Sequence, residues 1–184
     1  MAIFAGNRFF RVKEKIYTVI YVAPCGRLLL GECGGRLCLC VWRDEGRAES
    51  LMRRAAKVLN AEFVEGKTAV LETAARELDE YFSGKRKSFD IPLACCGTEF
   101  QRSVWNAVRD VPFGETESYS CLAERIGRPQ SVRAAANAVG ANALVLFVPC
   151  HRITGSGNNS GGYNGGIHAK RFLLSLESES QPIG

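Results

Sequence analysis

Three short β-rich runs near the start constrain the fold most. Ile16–Val22, Arg27–Gly31 and Arg36–Val41 are separated only by Pro24-Cys25-Gly26 and by Gly34-Gly35. Apolar and β-branched runs broken by such turn residues read as consecutive hairpins, and so as an antiparallel sheet. After Val41 the period changes. A helix is expected over Ala48–Leu59. Another is expected over Thr68–Phe82, where Leu71, Ala74, Ala75, Leu78 and Phe82 recur at helical spacing and Gly84 follows as a stop. Ser83–Leu93, with four charged residues, Gly84 and Pro92, reads as a connector, and Lys85-Arg86-Lys87 within it as solvated. The chain therefore divides near residue 92, into an α/β part over 1–92 and a second part over 93–184.

The second part reads as mainly helical. Thr98-Glu99-Phe100-Gln101 fits a capping box, with Thr98 as N-cap and Gln101 reaching back. Phe100, Val104, Trp105 and Val108 then share one apolar face, and Pro112-Phe113-Gly114 ends the helix. A short helix Tyr119–Ile126, a turn at Gly127-Arg128-Pro129 and a helix from Ser131 to Val139 have helix-turn-helix spacing. Gly155–Gly166 is a Gly- and Asn-rich loop whose backbone N–H groups are free to bind a ligand. A last helix is expected over His168–Glu177.

Composition excludes several classes. Of 184 residues, 46% are hydrophobic and 23% charged, as in soluble globular proteins. No stretch approaches the roughly 18–20 apolar residues that span a membrane. The charges at Arg8, Arg11, Lys13, Glu14 and Lys15 interrupt any secretory h-region. The eight cysteines are therefore read as reduced, in an intracellular protein. Cys25, Cys33, Cys38 and Cys40 lack paired CxxC knuckles, and both histidines, His151 and His168, lie in the second part, so no metal is expected. Cys38 and Cys40 read instead as core residues sharing a strand face. The net charge of +5 permits a polyanionic partner without requiring one. Residues 1–94 carry 16 Lys/Arg against 12 Asp/Glu, while residues 95–184 carry 8 against 7. The second part must bind any nucleic acid by shape and a few placed side chains.

Chemistry concentrates in Phe147-Val148-Pro149-Cys150-His151-Arg152-Ile153. Apolar residues upstream of Cys150 desolvate its thiol, and the adjacent imidazole can help make the nucleophilic thiolate. A buried Cys beside a His is common, so the pair alone is a weak signal. The Ser131–Val139 helix is the second unusual feature. It presents small residues, with Arg133 standing out, where a recognition helix normally carries several long polar side chains. Small side chains allow close approach to a groove wall. They equally suit a buried Ala-rich helix.

Taken together, the second part resembles the O6-alkylguanine-DNA alkyltransferases, or methylated-DNA–protein-cysteine methyltransferases. The matching residues are Gly97-Thr98-Glu99-Phe100-Gln101, Pro112-Phe113-Gly114-Glu115, Ser118-Tyr119, Val132-Arg133, Asn142, Pro149-Cys150-His151-Arg152, Gly161-Gly162-Tyr163-Asn164-Gly165-Gly166 and Leu173-Leu174-Ser175-Leu176-Glu177. The resemblance implies a ribonuclease-H-like antiparallel sheet with helices, followed by a helical, winged-helix-like DNA-binding domain carrying the active Cys. It implies stoichiometric transfer of the alkyl group from O6-alkylguanine, and O4-alkylthymine, to Cys150, without a cofactor. His151 becomes the base, acting through a water, Glu177 its orienting group, and Asn142 a bridge between the recognition helix and the active-site turn. Arg133 fills the stack left by a flipped base, with Ser131, Ala134 and Ala135 beside it on the DNA. Tyr119, Val145, Pro149, Ile153, Tyr163 and Asn164 form the substrate pocket. Relatives often carry Ser in place of Asn164 and Pro in place of Val145, so the range of accepted alkyl groups stays open. The implied partner is double-stranded DNA with alkylated guanine, met by a monomer in the cytoplasm, or in the nucleus of a eukaryote. A lesion sensor of the same fold would lack Cys150, a thiol hydrolase would turn over, and a helix-turn-helix regulator would leave Pro149-Cys150-His151-Arg152 unexplained.

Overall fold

A computed structural model describes residues 13–44, 46–155 and 162–179. The expected hairpins form a sheet of β1 (Glu14–Ala23), β2 (Gly26–Cys33) and β3 (Arg36–Trp42), with antiparallel neighbours. Helix α1 (Ala48–Leu59) follows. The next segment, Ala61–Glu65, has no counterpart in the sequence reading; it forms β4, parallel to β1, and gives the order β3-β2-β1-β4. Five residues directly after a helix carry too little periodicity to announce a strand.

Both sheet faces are covered, which explains the near-continuous apolar runs of β2 and β3. On one face Ile16, Leu29, Leu39 and Val41 pack on Leu51 and Ala55 of α1. On the other, Leu28, Leu30, Leu37 and Trp42 meet Leu71, Ala74, Leu78 and Tyr81 of α2 (Ala69–Phe82), where Thr68 is the N-cap rather than a helical residue. The register shifts where Gly31 and Glu32 oppose Leu39 and Leu37, leaving Cys38 as the extra residue of a bulge. Cys38 and Cys40 are both buried, but the bulge puts them in different clusters rather than on one face.

The α2-side cluster continues through Val104, Trp105, Leu122, Val139, Val145 and Ile153. The free edge of β3 is taken up by the connector and the second half: Leu37 N donates to Pro92 O (2.9 Å) and Cys40 N to Ala143 O (2.8 Å). Edge strands left unpaired invite association, and here the chain covers its own. The connector is also pinned. Arg86 is ion-paired with Glu80 (2.7 Å) and Asp90 (2.9 Å), so it is not a solvated charge.

Helix α3 (Glu99–Arg109) starts with the expected reciprocal cap, Gln101 N to Thr98 Oγ1 at 3.2 Å and Thr98 N to Gln101 Oε1 at 3.1 Å. A two-residue strand β5 (Glu117–Ser118) leads into α4 (Tyr119–Arg125), a single turn at Pro129–Ser131 and α5 (Val132–Gly140). A tight turn at Cys150–Arg152 precedes β6 (Ile153–Thr154), which pairs with β5 and sets the start of α4 beside the cysteine. Helix α6 (Gly166–Glu179) begins two residues earlier than expected. Part of the Gly155–Gly166 loop, residues 156–161, lies outside the described residues.

Candidate active site

Cys150 sits near the end of a buried segment, Asn142–Ile153, that hydrogen-bonds to Cys40 on the edge of β3. Leu146 adopts φ 72°, a region that side-chain-bearing residues rarely enter, and it lies four residues before the thiol. Flanking hydrogen bonds, Val148 N to Leu144 O (2.8 Å) and Cys150 N to Val148 O (2.7 Å), hold this compact path.

Asn142 organises the turn. Its Nδ2 donates to Val148 O (2.9 Å) and Cys150 Sγ (3.2 Å), and its Oδ1 accepts from Leu144 N (2.9 Å). Burial pushes the Cys150 thiol up to about 11, against opposing pulls from Asn142 and the Lys170 charge. Burial thus favours the protonated thiol over the thiolate that the adjacent imidazole can help make.

A single buried carboxylate ties the site together. Glu177 Oε1 accepts from His151 Nε2 (2.8 Å), Tyr81 Oη (2.7 Å) and Arg152 Nη2 (3.0 Å); Oε2 accepts from Arg152 Nε (2.9 Å) and Gly114 N (2.9 Å). Burial alone would raise its pKa, but the hydrogen bonds from His151 and Arg152, with the Arg152 charge, outweigh it and hold the group at about 2. Burial lowers the proton affinity of His151, only partly countered by Glu177, so the imidazole is neutral. Its Nδ1 is buried with no hydrogen-bond partner among the described residues. Lys170, fully buried, donates to Ile153 O (2.7 Å) just past the turn.

A cavity of about 360 Å³ opens over Cys150, lined also by Tyr119, Asn137, Tyr163, Asn164 and Arg47. Tyr163 is fixed by Trp42 Nε1, which donates to its hydroxyl at 3.2 Å. Gly165 is required by close approach, since a Cβ there would come within 2.3 Å of Trp42 Nε1. Of the expected pocket residues, Tyr119, Tyr163 and Asn164 line this cavity. Val145 and Ile153 are packed in the core behind it, and Pro149 faces a second hollow beside Phe147 and Arg152. On α5, Arg133 and Ala134 are exposed and Ser131 is half-buried before the helix, but Ala135 is fully buried. Ala135 points one residue out of phase with the exposed face and cannot reach a groove.

Tyr81, Lys170, Arg47 and Asn137 have no role in the sequence reading. For Lys170 a signal existed: it lies seven residues before Glu177, two turns along one face of α6, beside Leu173. Tyr81 likewise continues the apolar stripe of α2 while carrying a hydroxyl. Arg47 Nη1 donates to Gly140 O (3.3 Å), a contact 93 residues apart that no local pattern announces.

Residues 16–95 match the ribonuclease-like domain of 6-O-methylguanine DNA methyltransferase, and residues 99–179 match its DNA-binding domain. A methylated-DNA–protein-cysteine methyltransferase of Methanosarcina mazei is 39% identical over 169 residues, covering 92% of this chain and 96% of that protein. The inducible enzyme of Bacillus subtilis is 46% identical over 110 residues, which span 60% of this chain and 62% of the relative. The crystal structure of Mycobacterium tuberculosis OGT in complex with DNA superposes with a TM-score of 0.77 at 33% identity, over 92% of this chain and 96% of that one. With both halves matched in order and the cysteine turn built around one buried carboxylate, the chain belongs to the methylated-DNA–protein-cysteine methyltransferase family.

Proposed function

We propose that this chain repairs DNA by direct reversal of O6-alkylguanine damage, moving the alkyl group irreversibly to Cys150. One observation carries the reading: a buried thiol, with a neutral imidazole next to it in the chain, opens into a cavity whose wall is α5 of a helix-turn-helix. The O6 substituent of a paired guanine is out of reach inside a duplex. The nucleotide must turn outward, at about a few kcal/mol. Arg133 then occupies the gap in the stack, while Tyr119 and the backbone at Asn164 hold the purine in the cavity.

The chemistry is a displacement at saturated carbon. The Cys150 proton passes to His151 Nδ1 through a bridging water. A sulfur lone pair forms the S–C bond as the C–O6 bond breaks, its electron pair going to oxygen. The imidazolium gives its proton up again through water and guanine takes one up at N1, so the thiol hydrogen and the alkyl group have changed places. Ionised Glu177 stabilises the transient imidazolium, as the third group of a nucleophile–base–orienter set does. Nothing in this scheme cleaves the thioether, so each molecule acts once. O4-alkylthymine offers the same saturated carbon on an exocyclic oxygen and falls within the same chemistry. The partner is double-stranded DNA carrying the lesion, met by a monomer. The working compartment is the one that holds DNA and keeps thiols reduced: the cytoplasm, or the nucleus in a eukaryote.

Mass spectrometry tests the reading. Mixed with an excess of duplex containing O6-methylguanine, the intact protein should gain one methyl, mapped by fragmentation to residue 150. An unchanged mass, or several lesions cleared per polypeptide, would refute it.

A further inference from the structure

We propose that Tyr81 is a positioning residue for the transfer, through which the first half of the chain sets the orientation and proton affinity of the His151–Glu177 pair. The proposal rests on the reading of His151 as the base for Cys150. Tyr81 closes α2, is 1% exposed, and donates its hydroxyl to Glu177 Oε1 at 2.7 Å. Its ring is held edge-on by Phe113 (6.1 Å between centroids) and Phe82 (5.3 Å), so the hydroxyl has one direction to point. A tyrosine kept for packing alone needs no such partner, and Phe would fill its place. Here the partner is the same oxygen that accepts from His151 Nε2 at 2.8 Å.

Sharing has a definite consequence. Each donor on Oε1 stabilises the anion and weakens its pull on the other donors. Without the Tyr81 hydroxyl, Oε1 serves only His151 and Arg152 among the donors described, so it accepts more strongly from the imidazole and favours the imidazolium. The other groups facing His151 are Glu177 and Lys170 on α6, Arg152 and Cys150 on its own turn, and the Tyr163 ring at 6.3 Å. Among these, Tyr81→Phe removes a hydrogen bond from Glu177 alone.

The chain has two histidines, so 15N-histidine labelling leaves two imidazoles to follow, with exposed His168 as the internal reference. In Tyr81→Phe the His151 titration midpoint should rise by about half a pH unit or more, with His168 unmoved. The acid limb of the single-turnover rate on O6-methylguanine duplex should move by the same amount. Site-specific 3-fluorotyrosine at residue 81, a stronger donor with the ring kept, should move the His151 midpoint the other way. Unmoved His151 midpoints in both proteins would overturn the proposal, as would a shift seen in Tyr81→Leu but in neither ring-preserving variant. The midpoint needs no alkyl transfer to be read. A shifted midpoint in a protein that transfers nothing would therefore sink the reading of function and leave the coupling standing.

Discussion

Glu177 Oε1 lies 2.8 Å from His151 Nε2, and the carboxylate is ionised, so the proton sits on Nε2 and the basic atom of the imidazole is Nδ1. The tautomer is thus set from behind the ring, by a residue 26 positions away. Burial keeps both His151 and Cys150 uncharged at rest, and the nucleophile is generated only as a substrate is attacked.

Replacing the proposed acceptor isolates chemistry from binding. Cys150→Ser should abolish methyl gain while leaving affinity for lesion-bearing duplex within about threefold, because the hydroxyl is too weak a nucleophile but fits the same space. Mass spectrometry and a fluorescence-anisotropy titration read the two effects separately. Methyl transfer at a normal rate would rule out Cys150 as acceptor.

Arg133 is exposed on α5 and lines no part of the cavity over Cys150. Arg133→Ala should slow transfer from duplex by on the order of tenfold or more, since extrusion of the base loses its replacement in the stack. Reaction with free O6-benzylguanine, which needs no extrusion, should change little. Equal losses on both substrates would place Arg133 in some other role.

Asn142 is 1% exposed and supplies three hydrogen bonds to the turn. Asn142→Ala strands buried Leu144 N and leaves Val148 O to Cys150 N alone, which should cost about 1–3 kcal/mol of stability. It also removes the donor that pulls the thiol downward, so transfer to free O6-benzylguanine should slow as well. Urea unfolding and single-turnover rates check the two parts, and an unchanged unfolding midpoint would contradict the first.

Acid should destabilise the fold through the same network. Glu177 has a folded pKa of about 2 against an ordinary 4.5. A carboxyl depressed in this way contributes stability that is complete above its unfolded pKa and is lost as pH falls through the folded one. The loss therefore begins below pH ~4.5 and amounts to about 3 kcal/mol. His151 adds to it in the same direction: the unfolded chain takes up a proton near the ordinary histidine value, which the buried ring resists. Urea midpoints for wild type and Glu177→Gln should converge as pH drops from 6 toward 3. Parallel curves would show that Glu177 is not the titrating group.

Much of this architecture is written in local pattern. The hairpins over Ile16–Val41 follow from apolar runs between turn residues, and the start of α3 from the Thr98/Gln101 box. The helix-turn-helix is legible because α4 and α5 are separated by a Gly-Arg-Pro turn. Where the pattern failed, the deciding force was long-range. β4 exists because β1 offers it an edge, and Cys38 leaves the face of Cys40 because a bulge inserts one residue opposite Gly31 and Glu32. Ala135 reads like its neighbours Ala134 and Ala136, and only packing shows which alanine turns inward.

The amino-acid order alone determined the two-part succession of sheet and helices, the candidate nucleophile Cys150 and its neighbour His151, and the family the chain resembles. Those properties live in short spans, where composition and period act directly. Protonation states, the hub at Glu177 and the reach of Tyr81 across 96 residues were decided by the tertiary structure alone. Burial and hydrogen bonding set proton affinity, and both depend on which distant side chains share a dry interior, a relation no local spacing encodes.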